Sequence, residues 1–368
     1  MFKLPQGMKD SLDRLVDMLS RQEIISGIAL FGSWSRGEAI TSSDVDLLVA
    51  HTQNLKYEYL NRFEFESLLI DLNYIPTSWL SVSIPPEVDQ KIFESRILLD
   101  KDGVLSKVKE WMLKTYRTPG RIDIRTEEHI ISADTYLSRA TSARARRDLQ
   151  SARVFSVIAV EQILRILLEV SLLPYSNSGF IKALKEATSR MGMEPLFDGY
   201  LTFAELSKIN RRGVSDKIAL LRGVFERLVE FVKGNLEVLD ALHPQVKRAL
   251  LYYGNEAFLK GVISRSNALL EEERYGEALH YAESTLVNML ENYAWMRAKS
   301  EGMRPDSATL FLTLKRTGES DEIYKKSTTI LNLDALTDRE VDDSITYARR
   351  VILTIRKARK NLIKRYVK

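Results

Sequence analysis

The stretch ALFGSWSRGEAITSSDVDLLVA, residues 29–50, decides how the front of the chain folds. One apolar segment ends at a Gly-Ser turn, and a second begins with Asp44 and Asp46 on either side of a valine. Alternate side chains of a strand point to the same side, at about 3.3 Å per residue, so the two carboxylates project together. Such a pair repels, and one pKa rises, unless a divalent cation compensates the charge. Because Mg²⁺ prefers hard oxygen ligands, the pattern predicts a metal site.

A third carboxylate is expected on a neighbouring strand. Asp71 is the candidate, because it is the single charge in the apolar segment SLLIDLNYI. Two-metal sites hold their ions roughly 3.5–4 Å apart, and one carboxylate commonly bridges both ions. We therefore predict that Asp44, Asp46 and Asp71 bind two Mg²⁺ or Mn²⁺ ions. The alternative, that the aspartates are turn or capping residues after TSS, would explain Asp44 alone.

The loop before the aspartates is suited to binding phosphate. Gly32 lets phosphate oxygens approach backbone N–H groups, and the Ser33 hydroxyl adds a donor. Arg36 either neutralises phosphate charge or is a solvated loop residue, and the sequence favours neither. Phosphates bound in this loop would lie beside the ions held by Asp44 and Asp46.

Up to about residue 100 the sequence alternates between helical and extended patterns. A helix is predicted over residues 9–20 and strands over residues 44–50 and 61–75. Residues 24–33 are predicted to form a strand that enters a Gly-Ser turn, and residues 94–103 a short strand that ends in a turn. Pro119 and Gly120 then mark a boundary. Beyond it almost no strand pattern remains, and helical periodicity dominates.

These residues, in this order, resemble the signature of the nucleotidyltransferase superfamily related to DNA polymerase β. That signature is Gly-Ser, a short spacer, Arg-Gly, about six residues, Ser-Asp-x-Asp and a third Asp on a later strand. It is matched by GSWSRGEAITSSDVDLLV together with Asp71. The segment ESRILLDKDG resembles the end of a minimal nucleotidyltransferase domain. Trp34-Ser35 departs from the family pattern, and Trp34 either stacks on a base or caps the loop.

The resemblance implies a function. The phosphates of an NTP, with ATP expected, would be bound by the loop residues Gly32, Ser33 and Arg36. Asp44 and Asp46 would ligate the metal ions, and Asp71 would complete the site and activate the nucleophile. A hydroxyl of a small molecule or protein would attack the α-phosphorus, and pyrophosphate would leave. The alternatives are an RNA-end nucleotidyltransferase and a nucleotide-binding regulatory protein of the toxin–antitoxin type with weak or no catalysis.

The predicted fold class is α+β, with a small mixed β-sheet nucleotidyltransferase domain flanked by helices and followed by two tandem all-α helical-bundle repeats. Residues 214–235 match residues 341–362 in ungapped register, with identities that include non-core positions such as Arg222 and Arg349. The match indicates an internal duplication, and the alternative is two amphipathic bundles whose Leu/Ile spacing is similar by chance. The predicted domains are 1–117, 118–243 and 244–368.

The helical part resembles, in architecture, HEPN-type four-helix domains or the helical domain of kanamycin nucleotidyltransferase. Arg274 stands six residues before His280, which formally fits the Arg-His spacing of HEPN ribonucleases; an ordinary helix-face histidine is the favoured interpretation. Glu161 and Glu169 lie near one face of the strongest helix. The resemblance to the kanamycin enzyme makes either glutamate a candidate base, with a solvated side chain as the alternative.

Composition limits the partners. Cysteine is absent, which excludes disulfides and thiolate metal sites, and no apolar run reaches the roughly 18 residues of a membrane helix. We therefore expect a cytoplasmic protein that does not contact a membrane; a homo-oligomer is left open. The net charge of +4 is divided into −4 over residues 1–115 and +8 over the rest. RNA contact is an alternative to solvated helix faces for the basic C-terminal segment and for Arg139, Arg144, Arg146, Arg147 and Arg153.

Overall fold

The segments around the aspartates form one five-stranded mixed sheet with the strand order β3-β4-β2-β1-β5. The computed structural model describes residues 5–40, 43–53, 57–81, 83–318 and 322–367. Strands β2 and β4 run parallel, and the other three neighbouring pairs are antiparallel. The strands are β1 Ile25–Phe31, β2 Val45–His51, β3 Tyr59–Phe65, β4 Leu68–Pro76 and β5 Arg96–Asp100. The predicted α+β class is confirmed.

The prediction of a single strand over residues 61–75 is wrong, because these residues form the β3–β4 hairpin. The two-residue turn is Glu66-Ser67, with φ of 48° and 70°. Turns of this kind usually contain Gly, Asn or Asp, so the sequence does not mark the turn. Glu66 also accepts a hydrogen bond from Arg14 Nε at 2.8 Å, which ties the turn to the first helix.

The sheet is covered by a helix whose apolar face follows from its sequence. Leu12, Leu15 and Leu19 recur at helical spacing and are at most 3% exposed. They form one core with the buried residues of β1, β2 and β4. The helices around the sheet are α1 Gln6–Ser20, α2 Gly32–Arg36, α3 Thr77–Ser81, α4 Asp89–Glu94 and α5 Val104–Thr115.

The chain divides into two compact units. The N-terminal unit comprises Met1–Thr118 and Lys247–Arg265, and the helical unit comprises Pro119–Val246 and Ser266–Lys368. The structure thus groups residues 247–265 with the sheet, whereas the sequence-based division assigns them to a second helical repeat. The three-domain division itself stays a prediction.

All described strands lie before residue 101, and the remainder of the described chain is helical. None of the described helices is long and apolar enough to cross a membrane. The helices after residue 118 are α6 Pro119–Ala145, α7 Leu149–Ser171, α8 Phe180–Met191, α9 Glu194–Phe203, α10 Arg211–Gly234, α11 Leu236–Asp240, α12 Pro244–Tyr253, α13 Glu256–Glu271, α14 Tyr275–Ser300, α15 Leu310–Gly318, α16 Glu322–Ile330 and α17 Asp338–Tyr366.

Within the helical unit, helices of the two predicted repeats pack against each other. The four helices α7 to α10 of the first predicted repeat correspond one to one, in chain order, to α14 to α17 of the second. Helix α10 packs against α14 and α16, while α17 packs against α7 and α6. Each predicted repeat therefore buries its last helix against the other repeat, and the two share one core.

Candidate active site

Two of the three predicted aspartates are direct neighbours in the sheet. Asp46 of β2 and Asp71 of β4 are register partners across the parallel pair. Asp44 directly precedes β2, two residues before Asp46, and therefore projects to the same side. The structure brings together the three carboxylates that the sequence singled out.

Gly32 lies against this group. Its φ of +73° is a left-handed conformation that favours glycine, and it begins α2 directly after β1. A Cβ added at Gly32 would lie 2.3 Å from Asp46 Oδ2. Glycine is therefore required at position 32 both for the left-handed backbone conformation and for the close approach to the Asp46 carboxylate.

The sequence did not identify Arg62 as a site residue. It lies on β3 opposite Asp71 and is 4% exposed. Its Nε donates to Asp71 Oδ1 at 2.6 Å, and its Nη2 donates to Asp44 Oδ2 at 2.6 Å and to Asp71 Oδ2. The guanidinium thus bridges two of the carboxylates. Recognising the hairpin would have placed Arg62 beside Asp71.

The pKa values of Asp46 and Asp71 are raised even though Arg62 bridges two of the three carboxylates. Burial, and then the neighbouring charges of Asp44 and Asp71, hold the pKa of Asp46 well above its ordinary value. Burial also raises the pKa of Asp71, although the hydrogen bond from Arg62 opposes the shift. One buried cation does not compensate the group fully, and a divalent cation would lower both pKa values.

Two of the three residues predicted to bind phosphate, Gly32 and Arg36, donate hydrogen bonds to Glu94 of α4. The Gly32 N–H donates to Glu94 Oε1 at 2.8 Å, and Arg36 Nη1 donates to Glu94 Oε2 at 2.7 Å. Arg36 is ion-paired and its side chain is 15% exposed, so it is not the solvated loop residue of the alternative. Ser33 lies beside Gly32 in the first turn of α2 and is partly buried. An NTP phosphate at this loop would compete with Glu94.

Trp34, the departure from the family pattern, is partly buried against the core of the N-terminal unit. Its Nε1 donates to the Ser43 carbonyl at 3.4 Å. The hydrogen bond joins the two ends of the loop between β1 and β2, and the packing holds the indole against the core. They favour loop capping over base stacking.

The segment Lys247–Arg265 supplies further side chains to the carboxylates. The Tyr252 hydroxyl donates to Asp71 Oδ2 at 3.3 Å, and Asn255 Nδ2 donates to the Arg62 carbonyl at 2.7 Å. Arg265 Nη2 lies 3.7 Å from Asp44 Oδ1. No sequence pattern marked these residues, because they follow Asp71 by about 180 positions and meet it only through tertiary packing.

The donor set fits a divalent cation in its chemistry. Within the described ranges, however, no three acidic or histidine side chains are already disposed around a metal position. Arg62 explains this, because it holds Asp71 and Asp44 by the oxygens that a metal would use. Three hard carboxylates on adjacent backbone positions are the ligands that Mg²⁺ and Mn²⁺ take. The residues fit the ions once Arg62 withdraws.

The candidate bases of the helical unit are buried rather than solvated. Glu161 Oε1 accepts from Arg165 at 2.6 Å, and Glu161 Oε2 lies 3.1 Å from His280 Nε2. Glu169 Oε2 accepts from Arg125 Nε at 2.6 Å. Each glutamate is thus ion-paired within the helical unit. His280, expected to be an ordinary helix-face residue, is 5% exposed and contacts Glu161 through Nε2.

Four of the five arginines between residues 139 and 153 that were considered for RNA contact are paired with acids of the helical unit. Arg144 Nε donates to Asp342 at 2.7 Å, and Arg139 Nη2 lies 2.5 Å from Glu291. The pairs of Arg146 with Asp306 and Arg153 with Glu205 complete the set. In the C-terminal helix, Arg359 is buried against Asp123 and Glu127. Their charge is therefore largely compensated within the protein.

Residues 13–103 match the protein family described as Polymerase beta, Nucleotidyltransferase. That range contains the whole sheet, the three aspartates and the Gly-Ser loop. The predicted resemblance of the N-terminal part to the nucleotidyltransferases related to DNA polymerase β is therefore confirmed. The resemblance of the helical part to HEPN or kanamycin-enzyme domains stays a prediction.

Two individual proteins are similar to parts of the chain. A Methanocaldococcus jannaschii protein with the provisional name protein adenylyltransferase is 37% identical over 65 residues, which are 18% of this chain. The chain spans only 64% of that relative's length. The crystal structure of a nucleotidyltransferase-like protein from Exiguobacterium sibiricum 255-15 aligns over 87% of this chain and 92% of its own, at 12% identity and a TM-score of 0.32. Such a TM-score does not define a shared fold.

Proposed function

We propose that the protein transfers a nucleoside monophosphate from an NTP, ATP first, to a hydroxyl group and releases pyrophosphate. The proposal rests on one observation: the carboxylates of Asp44, Asp46 and Asp71 lie close together beside Gly32, whose backbone is left-handed. The family match over residues 13–103 supports the same reaction class. The catalytic contribution of such a site is positioning and charge stabilisation rather than covalent chemistry.

Asp44, Asp46 and Asp71 would hold one or two Mg²⁺ or Mn²⁺ ions. When bound, the ions would neutralise the triphosphate and stabilise the charge that develops during transfer. The protein's own change is the withdrawal of Arg62 from Asp71 and Asp44. Released in this way, the guanidinium becomes available to a phosphate oxygen, for which its planar fork is suited.

The remaining roles follow from position. The Gly32 N–H and the Ser33 hydroxyl would bind phosphate oxygens, with Glu94 giving up its hydrogen bond to Gly32. Asp71 would accept the proton of the attacking hydroxyl at its carboxylate, which is the role that the resemblance implies for the third carboxylate of the site. The new bond forms between the acceptor oxygen and the α-phosphorus, and the bond to pyrophosphate breaks.

A protein hydroxyl is the acceptor that we place first. The provisional name of the Methanocaldococcus jannaschii relative, protein adenylyltransferase, supports this choice over a small molecule. RNA is placed last, because Arg139, Arg144 and Arg146 are ion-paired with acids of the helical unit. The acceptor groups of Ser, Thr and Tyr side chains present the same chemistry as a sugar hydroxyl.

The test incubates the protein with each α-labelled NTP and Mg²⁺ or Mn²⁺, and follows label into protein, small-molecule and RNA fractions of a cell extract. We expect transfer from ATP, and loss of at least about 100-fold in Asp46→Asn, because a ligand of the metal is removed. Asp13→Asn is the matched control, since Asp13 is exposed on α1. Equal activity in Asp46→Asn and the wild type would overturn the mechanism.

The engagement of Arg62 and Glu94 favours a second candidate, a nucleotide-binding regulatory protein without catalysis. In this alternative Arg62 keeps Asp71 and Asp44 permanently, and the domain binds an NTP without turnover. Calorimetry with a non-hydrolysable ATP analogue and Mg²⁺ separates the two. Binding without transfer to any fraction supports the regulatory protein, and binding with transfer supports the enzyme.

A further inference from the structure

A cavity of about 140 Å³ lies inside the helical unit, away from the chemistry proposed above. Its walls come mainly from α7 and α14, the corresponding first helices of the two predicted repeats. An apolar cavity of about 150 Å³ in another protein admits benzene, so this volume accommodates a six-membered ring. The size alone thus allows a small organic ligand.

The cavity is built from corresponding positions of the two repeats, 127 residues apart in the sequence. The two walls differ in character. Val157 and Ile158 of α7 correspond to Ser284 and Thr285 of α14, and all four line the cavity. The cavity is therefore lined by both apolar and polar side chains, which suits an amphiphilic ligand rather than a purely apolar one.

Three side chains that line the cavity carry a buried polar atom without a partner among the described residues: Arg165 at Nε, Tyr200 at its hydroxyl and His280 at Nδ1. The Tyr200 hydroxyl is on a side chain that is 0% exposed, and His280 Nδ1 is on one that is 5% exposed. The other ring nitrogen of His280 contacts Glu161. Buried polar atoms are nearly always hydrogen-bonded in native proteins, so the Tyr200 hydroxyl and His280 Nδ1 have hydrogen-bonding capacity left for a polar group in the cavity.

The sign of the ligand's charge follows from which charges in the wall are already compensated. Arg165 donates to Glu161 at 2.6 Å, and Arg153 donates to the Phe203 carbonyl and to Glu205. The charge of Glu283 is compensated less closely, because Lys217 Nζ lies 3.4 Å from its carboxylate oxygen. The least compensated charge lining the cavity is thus a carboxylate.

We propose that the cavity between α7 and α14 binds a small ligand with a ring-sized apolar body and a protonated amine, which pairs with Glu283 and hydrogen-bonds to the Tyr200 hydroxyl. Val157 and Ile158 would contact the apolar body. Burial raises the pKa of Glu283 to about 7, against the opposing effect of Lys217. A carboxylate in this condition gains more from a cationic ligand than an exposed one does.

The test uses benzylamine, benzyl alcohol and benzoate as probes of matched shape, with binding to the full-length protein measured by NMR and calorimetry at pH 8. We expect benzylamine to bind with a Kd of about 1 mM or tighter, at least about tenfold more tightly than benzyl alcohol. Benzoate should bind more weakly than either. Binding of benzoate equal to that of benzylamine, or no binding of benzylamine, would overturn the proposal.

Variants of the full-length protein separate the cavity from nonspecific binding. Glu283→Gln should weaken benzylamine at least about tenfold and leave benzyl alcohol unchanged. Val157→Phe should weaken both probes, because it fills the cavity. Glu226→Gln, at an exposed position of α10, is the matched control and should change neither affinity. Equal effects of Glu283→Gln and Glu226→Gln would refute the assignment of Glu283 as the counterion.

Discussion

Arg62 and Asp71 face each other across the antiparallel strands β3 and β4, and the guanidinium binds both carboxylate oxygens. The same guanidinium reaches Asp44, so one buried cation holds two of the three candidate metal ligands. The Arg62–Asp71 pair is therefore both a structural link and a competitor of the metal. The first prediction separates these two roles.

Arg62→Gln should lower the free energy of unfolding of the metal-free protein by about 3–5 kcal/mol, because it leaves Asp71 buried without its cation. Saturating Mn²⁺ should restore part of this loss, since the ion takes over the compensation of the carboxylates. The measurement is urea unfolding with and without Mn²⁺. Arg14→Gln is the control: its pair with Glu66 is exposed, so the substitution should change stability little and show no dependence on Mn²⁺. A deficit in Arg62→Gln that Mn²⁺ leaves untouched would contradict metal binding at these carboxylates.

Gly32→Ala should abolish nucleotidyl transfer and destabilise the N-terminal unit. The left-handed backbone alone costs a residue with a Cβ about 1–2 kcal/mol, and the Cβ would also push Asp46 away. Thermal unfolding and the transfer assay measure the two effects. Gly7→Ala is the matched control, because Gly7 lies in helix α1 with nothing within 4 Å of an added Cβ. That substitution should stabilise by up to about 1 kcal/mol, and a similar gain at Gly32 would show that the close approach to Asp46 is not real.

Asp46→Asn should raise the stability of the metal-free protein at pH 7 by about 0.5–2 kcal/mol while it removes activity. The pKa of Asp46 is raised in the folded state, so the folded protein binds more protons than the unfolded one above the ordinary pKa. Stability is therefore lost as pH rises, and the substitution removes this loss. The gain should disappear below about pH 4, where the carboxyl is protonated in both states. Unfolding at pH 3.5 and pH 7 tests it, and a gain of equal size at both would exclude the charge as its cause.

Sequence patterns could predict the strands that carry Asp46 and Asp71, because a charge inside an apolar strand is unusual and the period of two fixes its direction. They could not predict the turn at Glu66-Ser67, where neither residue is typical of a left-handed conformation. Missing this turn meant missing Arg62, which faces Asp71 only in the hairpin. Local propensity contains no information about such a cross-strand partner.

The residues contributed by Lys247–Arg265 could not be predicted for a different reason. Helices α12 and α13 have ordinary amphipathic sequences, and nothing in them shows which surface they cover. Tyr252 reaches Asp71 only because residues 247–265 fold as part of the N-terminal unit. Non-local packing of this kind decides which residues complete a site, whereas periodicity shows only that a helix has an apolar face.

A fragment of residues 1–118 should fold poorly, and joining residues 247–265 to it through a flexible linker should restore cooperative unfolding. The segment contributes the buried residues Leu250, Phe258 and Val262, each at most 5% exposed. Without it the fragment exposes their apolar contacts and leaves Arg62 without Asn255. Circular dichroism and NMR dispersion compare the two fragments. Equal cooperativity in both would show that the segment is not part of the N-terminal unit.

Glu283→Gln should flatten the pH dependence of stability between about pH 4.5 and pH 7. The pKa of Glu283 rises from 4.5 to about 7 on folding, so the folded state retains an extra proton in this window and stability falls as pH rises. The charged groups that act on Glu283 are Lys217, His280 and Glu205. At pH 8 the substitution should stabilise by about 1–3 kcal/mol, and at pH 4 it should have almost no effect. Urea unfolding across this range measures the difference, with Glu226→Gln expected to follow the wild type. A gain that persists at pH 4 would disprove the shifted pKa.

The pairing of α7 with α17 has a consequence for how the chain is made. Helix α7 ends at Ser171 and α17 begins at Asp338, so α7 leaves the ribosome long before its partner exists. At about 5–20 residues per second, the interval between them is roughly 10–30 s. During that time the part of α7 that packs against α17 in the finished protein has no permanent cover. We expect the nascent helical unit to depend on chaperones until its last helix is synthesised, and early termination before Asp338 to leave an insoluble product.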